Sequence, residues 1–334
     1  MVTALALPVV GPGAFVAAGD DDPSHRVPTD RPTRTVLRPT EISAPASPKQ
    51  SDRIVILLVS GIGSDALDTV FDPLIAALDD DPRYEIHRFG ADAMHPYDTR
   101  GSLSANADQL TAEVRDLAKT HPKIQIVAHS MGGAVVDAAF ARGLSVDDKV
   151  ETYVALASPH AGSTPAIIGQ PLLRIASAIG AAPELRAITA GLAQDIGSRA
   201  AQDLSRIHSA PPPRGIARVD FRMATDLIVT AQDAWTPGVT TRTLVPTTVG
   251  AIEGHGGVTT DPQSIALITS TLALGTAPAR GWTERLLEFA AAQASVLMGE
   301  EARILYGALG LALLGCAVCL AAYRRVPKLR WPRR

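Results

Sequence analysis

One stretch restricts the possible folds more than any other: Lys123-Ile-Gln-Ile-Val-Ala-His-Ser130-Met-Gly-Gly-Ala-Val-Val-Asp-Ala-Ala-Phe140. It opens on a β-branched apolar run, Ile124 to Val127, that reads as a buried strand. A turn of small residues follows around Ser130, and Ala134 to Arg142 then favours a helix. Ala128 and Gly132 stand two residues either side of the serine, where a tight strand-to-helix turn leaves no room for a larger side chain. This is the geometry of a nucleophile elbow, which lifts the hydroxyl above a sheet and places a helix N-terminus beneath it. A serine at this place could also merely cap a helix, so the remaining chain has to decide.

The flanking pattern supplies a sheet. Ile54–Val59, Tyr84–Phe89, Val150–Ala157, Ile216–Met223 and Thr241–Val245 read as further strands. Ala66–Leu78 (with Pro73 as a break), Ser102–Thr120 and Pro262–Leu274 read as helices, the last with Asp261 as N-cap. Strands alternating with helices predict an α/β fold: a mostly parallel sheet covered by helices on both faces. Chemistry in such a sheet collects at the carboxyl ends of the strands. Ser130, Asp226 and His255 all fall there, in that chain order. Serine needs an imidazole to take its proton, and the imidazole needs a carboxylate to hold the useful tautomer. Asp220 lies inside a strand pattern and Asp233 beyond one, which makes Asp226 the better acid.

The chain resembles the α/β-hydrolase superfamily, in particular its lipase and esterase branch with Ala in the elbow. The resemblance rests on Ser60-Gly-Ile-Gly63, Ala128-His-Ser-Met-Gly132, Ser158-Pro-His-Ala-Gly-Ser163 and the Asp226 and His255 contexts, spanning roughly 53–277. It implies an acyl-enzyme mechanism, with the backbone N–H groups of Ile62 and Met131 as the oxyanion hole. It implies no cofactor and no metal. The first loop departs from the pattern, reading Ser60-Gly61 where the family usually has His-Gly. His129 is expected to pack under the turn, and His160 to order its loop or touch substrate.

Residues 163–215 break the strand-helix alternation. Between Thr164 and Leu204 lie many aliphatic residues, Leu172 and Leu173 among them, and few charges. This is expected to be a helical lid that favours a lipophilic ester, although such helices could instead only extend the core.

The ends of the chain suggest a location. Ile304–Tyr323 is a run of 20 residues without a charge, enough at ~1.5 Å each to cross a ~30 Å hydrocarbon layer. Residues 278–303 before it read as a mixed-charge juxtamembrane helix. The last eleven residues, 324–334, hold six Lys or Arg and no acid, which predicts a cytoplasmic tail. The remainder carries 25 basic against 34 acidic side chains, a balance that argues against a nucleic-acid partner. Cys316 and Cys319 are the only cysteines and lie in the apolar run, so neither a disulfide framework nor a Cys-based zinc site is expected. Residues 1–18 read as a possible export leader and 19–52 as a proline-rich linker, while proline and alanine richness hints at a bacterial source.

Together these features predict a membrane-anchored serine hydrolase of lipophilic carboxylic esters, its catalytic domain outside the cytoplasm. An acyltransferase or thioesterase would use the same three side chains, and a non-catalytic binding module could keep the same fold. Oligomeric state is not legible.

Overall fold

The structure is a computed structural model, and it describes residues 52–65, 68–183, 185, 195–207, 213–248 and 254–325. The expected leader, almost all of the linker, the middle of the expected lid and most of the basic tail lie outside the described residues.

Six strands form one parallel sheet: β1 (Ile54–Val59), β2 (Tyr84–Arg88), β3 (Lys123–His129), β4 (Val150–Leu156), β5 (Ala217–Met223) and β6 (Thr240–Leu244). Their spatial order is β2-β1-β3-β4-β5-β6. The chain turns one way from β1 to reach β2 and the other way from β3 to reach β4. The reversal therefore lies between β1 and β3, where parallel sheets bind ligands. Ile56↔Gln125 and Val59↔Ala128 fix the register of that pair, so the loops after Val59 and His129 emerge side by side.

Both sheet faces are covered. Val55, Leu57 and Val59 pack toward α2 (Leu103–Thr120), α3 (Met131–Ala141) and the short helix 199–204. Ile56 and Leu58 alternate to the other face, against α1 (Asp72–Leu78) and two later helices, 257–260 and 262–274. In chain order the remaining helices are α4 (Thr164–Ala178), α5 (Arg199–Leu204), α6 (Gly257–Thr260), α7 (Pro262–Leu274) and α8 (Trp282–Arg325). Strands buried on both faces explain why β1 is apolar throughout rather than alternating.

Three local readings change. Pro73 does not break a helix; it sits in the first turn of α1, after a 3₁₀ turn at Thr69–Phe71, where its missing N–H costs nothing. Helix α3 begins at Met131, earlier than alanine content suggests, because the turn at Ser130 passes directly into it. The segments 278–303 and 304–323 are not separate helices: Trp282 to Arg325 is one helix of 44 residues, with no proline inside it. Its apolar portion is long and apolar enough to cross a membrane.

Candidate active site

Ser130 has φ 56° and ψ −131°, a left-handed backbone that L residues adopt only when the surroundings enforce it. Those surroundings are close backbone contacts. A Cβ at Gly132 would collide with the carbonyl oxygens of Val59 and Ser60, and one at Gly61 would lie 2.8 Å from the Ser130 Cβ. Ala128 is fully buried in the strand before the turn. The glycine at 132 is thus required by contact, while Ala128 is buried.

The His255 ring lies against the serine. Its Nε2 is 2.8 Å from Ser130 Oγ and its Nδ1 is 3.0 Å from Asp226 Oδ2. Since an ionised carboxylate only accepts, Nδ1 carries the proton in the neutral ring and Nε2 is free to accept from the hydroxyl. Asp226 Oδ1 in turn accepts from the N–H groups of Ile228 and Val229, each at 2.9 Å, which fixes the carboxylate plane just past the end of β5. Gly254 has φ 73°, and a Cβ there would meet the Thr225–Asp226 backbone, so the histidine loop and the acid loop touch. The three side chains come from three different strand ends. Ser130 is 9 % exposed and the His255 side chain 14 %.

His129 sits beneath this arrangement. Its Nε2 donates to the carbonyl of His255 at 3.1 Å, its ring is 4.9 Å from the His255 ring, and Phe71 meets it edge-on. Burial, together with the neighbouring His255, pushes its pKa down to about 4. It is a neutral prop for the histidine loop.

The Met131 N–H opens α3 and has no intrahelical carbonyl to bond. Ile62 lies in the loop after β1, which Gly61 brings against Ser130. That loop lacks the family's imidazole anchor, and another residue supplies one. Tyr97 donates its hydroxyl to the Ser60 carbonyl at 2.7 Å, and Thr99 donates to Ser64 O at 3.0 Å. Burial raises the Tyr97 pKa, keeping the phenol a donor. Sequence reasoning missed Tyr97, because it lies in an irregular loop with no periodic signal.

The other expected residues divide. His160 is held inside the fold, as the loop-ordering reading expects. It is buried, with Nδ1 2.6 Å from Asp137 and Nε2 3.6 Å from Asp220. Arg218 joins this group through a two-pronged contact with Asp220 (2.8 and 3.1 Å) and a 3.0 Å contact with Asp137. Although burial alone would lower the Arg218 pKa, Asp137 and Asp220 hold it raised. The network ties elbow helix α3 to β5. Asp233 accepts from Thr164 Oγ1 at 2.9 Å and from the Thr230 N–H at 3.1 Å, so it pins the start of α4 to the acid loop.

Leu172 and Leu173, on α4, line an apolar cavity of about 340 Å³. Ile228, two residues after Asp226, also lines it, and so do Tyr306, Leu309 and Leu313 of α8. Among the described residues, no cluster of His, Cys, Asp or Glu could hold a metal ion.

Comparison with known proteins adds the following. Residues 105–204 match the family model of the PGAP1-like alpha/beta domain. A search of curated proteins found no sequence match. Among solved structures, the chain is similar to mature Bacillus licheniformis lipase BlEst2 (15 % identity, 69 % of this chain and 94 % of that one, TM-score 0.47). It is also similar to an esterase from Thermogutta terrifontis (16 %, 67 % and 91 %, TM-score 0.45). A third likeness is the type II thioesterase BorB of the borrelidin cluster (21 %, 67 % and 92 %, TM-score 0.41). Six parallel strands in the order observed and a strained serine at the end of β3 give the chain an α/β-hydrolase fold, and the PGAP1-like family match falls across that segment.

Proposed function

We propose that this protein is a membrane-anchored serine hydrolase of lipophilic carboxylic esters. The observation that carries the reading is the continuous contact from Ser130 Oγ through His255 to Asp226, at 2.8 and 3.0 Å. Ser130 Oγ attacks the ester carbonyl carbon while its proton passes to His255 Nε2. Asp226 holds Nδ1–H and stabilises the imidazolium. The new oxyanion is received by the N–H groups of Met131 and Ile62, with Tyr97 holding the Ile62 loop in place. Collapse returns the Nε2 proton to the departing alkoxide and leaves Ser130 acylated. A water, deprotonated by His255, then attacks the acyl carbon; the acid departs and Ser130 Oγ regains its proton.

The aliphatic surface of α4 supports a lipophilic acyl group, since apolar pockets select by area and shape. The test is labelling by a fluorophosphonate, followed by a panel of p-nitrophenyl esters of rising acyl length, alone and with a lipid emulsion. Labelling at Ser130 and hydrolysis of the esters are expected. A chain that neither labels nor hydrolyses is a binding module instead.

Ile304–Tyr323 serves as the membrane anchor in this reading, and its charged flanks orient it. Glu300, Glu301 and Arg303 precede it, and the six basic residues follow it. The positive side stays in the cytoplasm, which places the hydrolase domain outside. Protease added to spheroplasts should degrade the domain and spare a reporter fused after Arg334. The reverse pattern would place the domain in the cytoplasm.

A further inference from the structure

The cavity beside the acid loop has an unexpected wall. Its lining comes from α4, from the loop after Asp226 and from α8, the helix long and apolar enough to cross a membrane. Contact between the two helices is close: a Cβ on Gly310 would meet the end of the Leu172 side chain. Further along, Ala317 and Ala321 of α8 pack with Ala176 and Leu185 of the lid region. The helix also touches the acid loop directly. Tyr306 donates its hydroxyl to the Leu227 carbonyl at 3.1 Å, and Gln232 donates to Glu300 at 3.2 Å. Leu227 is the residue after Asp226.

We infer that α8 is part of the substrate site: with α4 it forms a site for one acyl chain of a membrane lipid, drawn sideways from the bilayer. The inference rests on the hydrolase reading above and names where its substrate binds. Three observations support the occupant. About 340 Å³ falls within the ~300–1,000 Å³ of small-molecule sites, and the lining is aliphatic apart from Tyr306, whose hydroxyl is already bonded to backbone. Ile228 and Leu309 are both lining residues and both 49 % exposed. One exposed lining side chain therefore lies two residues from Asp226 and the other on α8. Finally, Leu309, Gly310 and Leu313 belong to the charge-free run, so this wall lies at hydrocarbon depth when the run spans a bilayer. The exposed Ile167, Ile175 and Ile179 of α4 would then contact lipid rather than water. A chain entering along α8 reaches Ile228 without crossing water.

The experiment uses the full chain carrying Ser130→Ala, reconstituted in phosphatidylcholine vesicles that contain a phosphatidylcholine with a diazirine in its acyl chain. After photolysis, adducts are mapped by mass spectrometry. Adducts at Leu172, Leu173 and Leu313 are expected, with a loss of about tenfold in the Gly310→Leu variant, whose side chain fills the cavity. Adducts confined to the outward residues of α8, such as Leu311 and Leu320, would overturn the site and leave the hydrolase reading standing. In the parent with Ser130 intact, Gly310→Leu should lower the ratio of decanoate to acetate ester turnover at least about tenfold. An unchanged ratio would also overturn it. A parent that hydrolyses no ester, yet labels in the cavity, would sink the hydrolase reading and keep the lipid site.

Discussion

His255 and His160 each hold an aspartate at Nδ1, and only His255 is arranged for the proposed catalysis. His255 holds Asp226 at Nδ1, as His160 holds Asp137 at Nδ1, at 3.0 and 2.6 Å. The difference lies at the other nitrogen. His255 Nε2 faces a serine hydroxyl on a strained turn, and the His255 side chain is 14 % exposed. His160 Nε2 faces a second carboxylate 3.6 Å away, its side chain is 1 % exposed, and Arg218 closes the group. A His–Asp pair therefore identifies no active site by itself. What the second nitrogen meets, and whether a reactant can reach it, decides the role.

Removing the serine breaks the comparison most severely. Ser130→Ala deletes the atom that His255 serves, while the backbone contacts that hold the turn remain. Ester turnover should fall at least ~10³-fold with folding intact. Turnover within tenfold of the parent, measured on a purified and folded variant, would take Ser130 out of the mechanism.

Asp226→Asn is next. It keeps the shape but presents an amide that can donate toward Nδ1, favouring the wrong His255 tautomer. A loss on the order of 10²–10⁴ in turnover is expected. Asp220→Asn and Asp233→Asn are the controls, because both carboxylates are buried and bonded elsewhere. If either control lost more activity per folded molecule than Asp226→Asn, the acid would be misassigned.

The inert pair should show its role in stability. Asp220→Asn removes the two-pronged partner of the buried Arg218 and leaves that guanidinium poorly compensated. Breaking a buried ion pair from one side costs about 3–5 kcal/mol. Denaturant melts should show that loss, while the fraction of folded molecules that a fluorophosphonate labels stays near the parent's. A stable variant with poor labelling would mean that the His160 group acts on catalysis after all.

How much of this was legible in the sequence follows from the range of each interaction. The elbow, the strands and the chain order of Ser130, Asp226 and His255 are written in local pattern. The sheet order follows from them, because crossovers in parallel sheets have few options. The residues that were missed act across long separations. Tyr97 reaches back 37 positions to Ser60, Arg218 reaches back 81 to Asp137, and Tyr306 reaches back 79 to Leu227. Nothing periodic announces such contacts. His160 was expected to order its loop, but its partners on α3 and β5 were not legible, since they are distant in the chain. Tyr306 was absorbed into an apolar run that composition alone reads as lipid-facing.

A third histidine sharpens the contrast further, through effects on stability rather than on rate. His129, held at a pKa of about 4 by burial, stays neutral in the folded chain where an unfolded histidine takes a proton below pH ~6.5. Its contribution to stability is therefore lost as pH falls from about 6.5 to 4. Glu113 has the opposite sign. Burial, only partly offset by the Gly90 N–H and His95, raises its pKa to about 7, so the folded chain keeps a proton that the unfolded one releases above pH ~4.3. Its contribution is lost as pH rises from about 4.3 to 7. Between pH 4.5 and 6.5 each group changes the proton difference by about one, in opposite directions, and the two slopes of ~1.4 kcal/mol per pH unit cancel. The parent's stability should accordingly show little of either slope in this window. Replacing one group exposes the other. In denaturant melts at pH 4.5, 5.5 and 6.5, His129→Asn should lose stability relative to the parent as pH rises, and Glu113→Gln should gain it. The His129 variant should also lower turnover a few-fold at pH 7, since it weakens the bond to the His255 carbonyl. Parallel pH profiles for parent and both variants would mean that neither group is held at the pKa its burial dictates.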